Sequence, residues 1–508
     1  MWVCHVGDRQ CHHGGRRAHQ ADRHRPDCAG RLALSSSSVT ITGRGLTLDE
    51  VIQVARQKAQ VVLHPDAIKT MRRSRAVVER AVERGDNVYG LTTGVSALKR
   101  ARVDPGALAR FNRDLIIQHR IAQGPPAAAD TVRATLVRLL NHLASGYPGV
   151  RPELAAHVVQ ALNEDRLPVV RTLGSVGQSD LAPMADLAHG VLGDFALAAG
   201  EGLSLLNNNA FSIGSAALAM HDLGRLHQSM LSVGALSLEG FHANPSILHP
   251  SLESARPLPG LKRAVGQIRR LLEGSFLWSA PPRNLQDPLT FRTLPQVIGA
   301  LDDALVYARD QLDRELNAAQ GNPIVVVDED RIISVGNFDI APLAGALDLL
   351  RIALAPVLTA SAERAIKLLE SPWSGLPTGL LPGDGTPDAG LNELGIAAAS
   401  LAAEARLLAQ PVSFELPSTS LAEGIEDRMT QAPLATRRLN QMMDLSARIL
   451  AIELTVAGQA VEHRNLQPLG RGTAKLLAQL RQRIAFMREP GQFPDNLEPV
   501  VDLVRMPG

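Results

Sequence analysis

Residues 433–464 carry one uninterrupted helical pattern, and its length sets the scale of the fold. Globular helices ordinarily run three or four turns, so a helix this long needs partners on much of its circumference. Residues 342–370 and 398–409 are further Ala/Leu-rich helical candidates. Val297, Leu301, Ala304, Leu305, Ala308 and Leu312 form a stripe at helical spacing, as do Val132, Leu136, Leu139, Leu140 and Leu143 ahead of Gly146. The chain is 45% hydrophobic but only 3% aromatic, a balance that favours Ala/Leu helices over β-sandwiches or barrels. The expected fold is therefore mainly α, a long central helical bundle with a smaller, loop-rich N-terminal active-site subdomain. The expected division is 39–230 for the subdomain and 231–508 for the bundle and C-terminal helices.

Composition excludes several classes. A formal net charge of +1 offers no broad surface for nucleic acid or anionic membranes. No run of 18 apolar residues occurs, so no transmembrane helix is expected and a cytoplasmic location is the default. Cys4, Cys11 and Cys28 are the only cysteines, which leaves the body of the chain without a disulfide framework or a thiolate metal site. Residues 1–38 lack the apolar core of a secretory signal and fit no zinc spacing, so they are set aside as a disordered tail or sequence upstream of the true start. Ordered structure is expected from VTITGRG and the capping-box pattern Thr47-Leu-Asp-Glu50 onward.

Polar loops rich in Gly and Pro separate the helices, at 90–94, 174–183, 279–295, 317–323 and 411–427. Function is expected on such loops, held by the rigid bundle. Read in order, the segments NVYGLTTG (87–94), LIIQHRIAQG (115–124), GSVGQSDLAP (174–183), EGLSLLNNNA (201–210), LQDPLTFRTLPQV (285–297), NAAQGNP (317–323), GNFDIAP (336–342) and LPSTSLAEGIEDRM (416–429) form a distinctive succession. From about residue 39 to 464 it resembles the histidine/phenylalanine/tyrosine ammonia-lyase family. The resemblance implies a helical homotetramer whose active sites draw loops from three subunits and which eliminates ammonia from an aromatic amino acid. The family's electrophile is a methylidene-imidazolone formed from an internal Ala-Ser-Gly triplet; no external cofactor or metal is implied.

Carried over position by position, Tyr89 takes the place of the family's tyrosine base and Asn207 that of the asparagine beside the prosthetic group. Gln286 stands for the glutamine of the Gln-Asp-Pro loop, Arg292 for the arginine that receives the substrate carboxylate, and Glu426 for the glutamate near the C-terminal end of the site. His119 aligns with the histidine that helps accept an imidazole ring. Asn322, in the Asn-Pro pair, joins the substrate-binding set.

The chain departs from the family where the electrophile should arise. The pattern Gly-Ser-Val-Gly-Ala-Ser-Gly-Asp-Leu-Ala-Pro becomes Gly174-Ser-Val-Gly177-Gln178-Ser179-Asp180-Leu-Ala-Pro183, with the glycine after the serine missing. Cyclisation needs the amide nitrogen after the serine to attack the carbonyl before it, which a bare glycine permits and a side-chain-bearing Asp180 opposes. The expectation is that the methylidene-imidazolone does not form. Leu289 replaces the tyrosine that follows Gln-Asp-Pro in the family, Asp339 replaces a histidine, Gly200 a lysine and Arg428 another histidine.

Bland roles stand beside these. Tyr89 can be a core tyrosine, Arg292 a brace for helix carbonyls, His119 a satisfied core histidine, and Asn207, Gln286 and Asn322 loop braces. Glu426 can pair with Arg428 or Arg292, and Ser179 and Asp180 can cap the helix starting near Leu181. The functional expectation is a cofactor-free lyase, or related proton transfer, on a carboxylate-bearing, amino-acid-like substrate, with Tyr89, Ser179 and Glu426 as the catalytic group. The phenol of Tyr89, unperturbed near about 10, would need lowering by cations or amide donors. The alternatives are a genuine histidine or aromatic amino acid ammonia-lyase with an electrophile from a shifted triplet, and a non-catalytic binding or assembly subunit. A fumarase-like lyase is set aside because its Gly-Ser-Ser loop with Met-Pro-Gly-Lys-x-Asn is absent.

Overall fold

The computed structural model describes residues 38–381, 389–413, 422–489, 492–493 and 495–506. The expected loop at 411–427 and the LPSTSLAEGIEDRM segment lie partly outside them, and residues 1–37 entirely so. The fold is mainly helical, and its long members are Ala210–Phe241, Leu294–Asn317, Ala341–Leu369 and Ala432–Arg464. The Ala210–Phe241 helix packs along Ala432–Arg464, which packs on Ala341–Leu369, which in turn packs on Leu294–Asn317. Short paired strands lie around this bundle: Ser38–Ile41 runs parallel to Gln60–Leu63, and two antiparallel pairs join Gln123–Pro126 to Arg171–Leu173 and Ile324–Val326 to Arg331–Ile333.

Local expectations hold at several termini. Thr47 accepts from the Glu50 amide while the Glu50 carboxylate accepts from the Thr47 amide, a reciprocal cap on Leu48–Arg56. The Val132 stripe lies in Ala129–Ala144 and the Val297 stripe in Leu294–Asn317. Ala210–Phe241 carries no amphipathic signature because it is buried on nearly every side. It crosses residue 230, so the expected division at 230/231 falls inside a continuous helix. Where it passes Ala129–Ala144, a Cβ on Gly214 would stand 2.8 Å from the Ala134 carbonyl carbon, so only glycine permits that approach.

One buried ion pair ties the bundle together. Glu453 accepts from Arg364 Nε at 2.6 Å and Nη2 at 2.9 Å, from Ser237 Oγ at 2.7 Å and from Ser361 Oγ. Its partners come from two neighbouring long helices, so removing one would leave an uncompensated charge in the core. The expectation that nothing has the character of a membrane span meets an exception in Ala341–Leu369, which is long and apolar enough by composition. Most of that helix is buried by its bundle neighbours, and it carries buried Asp348, Arg351 and Arg364.

Candidate active site

The loop at Gly177–Asp180 lies where three helices begin. Leu181–Leu192 starts directly after it, and the residues before the other two starts grip its backbone. Gly177 O accepts from Asn209 Nδ2 at 3.1 Å and from Thr430 Oγ1 at 2.8 Å, while the Gln431 amide donates to Val176 O at 3.0 Å. Three helix N-termini therefore face one short loop, and their dipoles favour negative charge there. Ser179 is buried with φ +58°, a left-handed conformation that costs about 1–2 kcal/mol for a residue with a Cβ. Its hydroxyl donates to Asn207 Oδ1, and Asn207 Nδ2 donates to Asn322 O at 2.7 Å. Asn322 Oδ1 accepts from the Val335 amide at 2.9 Å. Asn207 and Asn322 thus form a hydrogen-bonded chain that holds the Ser179 hydroxyl.

Asp180 does not cap the helix it precedes. It occupies the position before Leu181–Leu192 without a side-chain cap bond, and its carboxylate reaches a different helix. There it accepts from Ser212 N at 2.7 Å, Ser212 Oγ at 2.8 Å and Ser175 Oγ at 3.0 Å. Ser212 lies in the first turn of Ala210–Phe241, so Asp180 satisfies an orphan amide of that helix from outside it. Burial pushes its carboxyl up to about 6, and the bonds from Ser212 and Ser175 hold the rise in check. The Asp180 amide donates to Asn208 O at 2.8 Å.

Tyr89, Asn207 and Asn322 line one cavity, together with His142, Leu203 and Gly321. The Tyr89 hydroxyl accepts from the Ser96 amide at 2.9 Å. That amide is the kind of donor expected to lower a phenol, yet Tyr89 is raised: burial dominates, the Ser96 bond only partly offsets it, and the charge of Glu426 adds to the rise. Glu426 is exposed, with its field reaching Tyr89. The expected alternative partner of Glu426 is engaged elsewhere, since Arg428 Nε lies 3.3 Å from Asp339, which also accepts from Gln178 Nε2 at 3.0 Å. His119 is not brought to this cavity; its Nδ1 lies 2.8 Å from Leu115 O, closing the end of Leu108–Gln118.

Gln286 and Arg292 lie at the other end of the bundle. Neighbouring Asp287 accepts from the Asn244 amide at 2.6 Å, and Phe291 stacks on Phe241 at 4.1 Å. Both contacts sit at or just past the C-terminal end of the helix whose first turn binds Asp180. From Ser212 to Phe241 a rise of 1.5 Å per residue makes the separation about 40 Å. Arg292 Nη1 donates to Gln286 Oε1, rather than to helix carbonyls, and its Nε is sealed with no partner among the described residues. Gln286 is exposed, as are Leu285 and Leu289 beside it.

A bundle whose helix starts converge on a Gly-Ser-Val-Gly loop beside a Tyr-Gly loop has the architecture of a carbon–nitrogen lyase of the ammonia-lyase class. The family model for aromatic amino acid lyases matches residues 46–196 and 192–482. Histidine ammonia-lyase of Myxococcus xanthus is 33% identical over 503 residues, covering 93% of this chain and 97% of that protein. Among solved structures, the ergothioneine-degrading enzyme ergothionase of Treponema denticola superposes with a TM-score of 0.87 at 28% identity, covering 92% of this chain and 99% of that one. Histidine ammonia-lyase of Trypanosoma cruzi gives a TM-score of 0.82 at 26% identity, covering 92% of each chain. The chain belongs to the aromatic amino acid lyase family and is an enzyme of carbon–nitrogen lyase type.

Sequence reasoning missed Ser212, Thr430 and His142. The first two are ordinary residues in a helix and a loop whose partners are remote in sequence. His142 stands in an apolar helical run, where its only signal is a polar residue out of keeping with the stripe.

Proposed function

We propose that this protein is a lyase that works without a methylidene-imidazolone, on an amino-acid-like substrate whose carboxylate Arg292 receives and whose β-proton Tyr89 removes. The observation that carries this is the setting of Asp180. Ring closure would need its amide nitrogen to attack the Gln178 carbonyl carbon. That amide is instead committed to Asn208 O, and the Asp180 side chain is anchored by Ser175 and Ser212. The residues present do not fit the prosthetic group.

Without an electron sink the leaving group decides the reaction. Tyr89 acts as its phenolate, a minor form while burial and Glu426 keep the phenol raised; it takes the β-proton, the C–H pair becomes the Cα=Cβ bond, and the Cα–N pair departs with the amine. A primary amine leaves poorly. A quaternary ammonium leaves as a neutral tertiary amine and needs neither an electrophile nor a proton. Ergothioneine, on which the structurally similar ergothionase acts, is a betaine with such a trimethylated amine, and we favour this substrate class. The positive ends of three helices at the Ser179 loop suit the negative charge that develops as the proton is lost. Because Tyr89 and Arg292 lie toward opposite ends of Ala210–Phe241, whose length from Ser212 to Phe241 is about 40 Å, the site is completed by another copy, in keeping with a homotetramer. A histidine ammonia-lyase activity is the second reading, favoured by relatives of that name.

The two readings separate on substrate. Full-length enzyme is offered L-histidine, L-phenylalanine, L-tyrosine, Nα-trimethyl-histidine and ergothioneine, with the unsaturated acid followed by absorbance and the released amine identified. Turnover of the trimethylated compounds alone is expected. Ammonia released from free L-histidine would overturn the proposal in favour of the second reading.

A further inference from the structure

Behind the Ser179 loop lies a buried polar wedge that the proposed chemistry does not use. Arg138 and His142 stand one turn apart on Ala129–Ala144, and both are buried. Arg138 Nε donates to Glu315 O at 2.9 Å and Nη2 to Ala318 O at 2.7 Å and Gln320 Oε1 at 3.2 Å. The same Gln320 oxygen accepts from the Asn209 amide at 3.3 Å, so Gln320 brings Arg138 and Asn209 together. Arg138 Nη1, Asn209 Oδ1 and His142 Nδ1 are all sealed from solvent, and none has a hydrogen-bond partner among the described residues.

These three atoms are chemically complementary to a single molecule. Arg138 Nη1 is a donor. Asn209 Oδ1 is an acceptor, because the amide's other end donates to Gly177 O. His142 is held neutral by burial and by the nearby Arg138 charge, so one ring nitrogen accepts and the other donates. One donor and two acceptors are what a water molecule answers, and buried waters ordinarily make about three hydrogen bonds to such groups. With water donating to Nδ1, the His142 proton lies on Nε2. His142 lines the cavity shared with Tyr89, Asn207 and Asn322, and an added Cβ on Gly321 would stand 3.8 Å from Nε2. The donor edge of the ring thus borders the space left by that glycine.

We propose that Arg138, Asn209 and His142 bind one ordered water, and that this water fixes His142 as an Nε2–H donor that positions an acceptor atom of the substrate beside Tyr89. The water site stands on its own geometry; the substrate contact rests on the Tyr89 cavity being part of the active site. Crystallography of the ligand-free full chain, at a resolution that shows solvent, and NMR of protein labelled with ¹⁵N-histidine test the first part without any substrate. A solvent peak within hydrogen-bond reach of all three atoms and an unprotonated Nδ1 are expected. A dry site, or the proton on Nδ1, overturns the proposal whether or not the enzyme turns over any compound in the screen. On a substrate from that screen, His142→Leu is expected to raise KM about three- to tenfold while His142→Gln, which keeps an N–H donor, restores it. Equal KM values for wild type and His142→Leu would refute the substrate contact, and matched unfolding temperatures would separate this from a folding defect.

Discussion

The two ends of the long bundle differ in how their polar groups are satisfied. At the Ser179 end, Asp180, Asn207 and Asn209 reach across to Ser212, Asn322 and Gly177, and the loop is closed upon itself by the chain's own atoms. At the Arg292 end, Gln286, Leu285 and Leu289 stand exposed, and Arg292 keeps a buried Nε without a partner among the described residues. The first end is finished within one chain. The second presents residues outward. On the proposed function, which uses both the Tyr89 base and the Arg292 fork, the finished end of one copy meets the presenting end of another.

Mixing variants puts the largest effect on that difference. Tyr89→Phe and Arg292→Ala should each lower turnover by about 10²–10⁴-fold when assayed alone. Co-assembled from one cell, they should regain a substantial fraction of wild-type activity, because some sites then take Tyr89 from one copy and Arg292 from another. No recovery in a confirmed mixed oligomer would break the comparison.

A smaller effect sharpens the role of Glu426. Its negative charge contributes to the raised phenol of Tyr89, so Glu426→Gln should move the rising alkaline limb of kcat/KM to lower pH. A limb displaced to higher pH, or unmoved, would remove Glu426 from the electrostatics of the base.

A separate effect concerns stability at the finished end. The Asp180 carboxyl is raised from 3.8 to about 6, so the folded chain holds this proton more tightly than the unfolded chain does. Its contribution to stability is therefore present at low pH and is lost as pH rises from about 4 to 6. The loss amounts to about 3 kcal/mol for a shift of this size. Asp180→Asn should remove that component from the pH dependence of chemical unfolding; an unchanged slope would contradict the burial argument.

Much of this was legible from residues, but unevenly. Long helices with a stripe were readable because partial burial leaves a period, as in Leu294–Asn317. Ala210–Phe241 was not, since burial on nearly all sides erases the contrast between faces and its glycines mimic loop punctuation. The site residues were found as an ordered series of loops. Their order along the chain gives no sign that Arg292 and Tyr89 lie at opposite ends of a bundle. Asp180 looked like a cap for the helix after it, the nearest helix in sequence, whereas its side chain satisfies one that starts thirty residues later. His119 carried a family role in the alignment and a backbone carbonyl in the fold.

The central claim is that the Gln178-Ser179-Asp180 backbone stays open. Intact mass spectrometry of the purified full-length protein decides it most directly, compared with the mass encoded by its own start and end. The account requires a peptide spanning these residues at its unmodified mass. A loss of two waters confined to that peptide would contradict it and return the protein to conventional deamination.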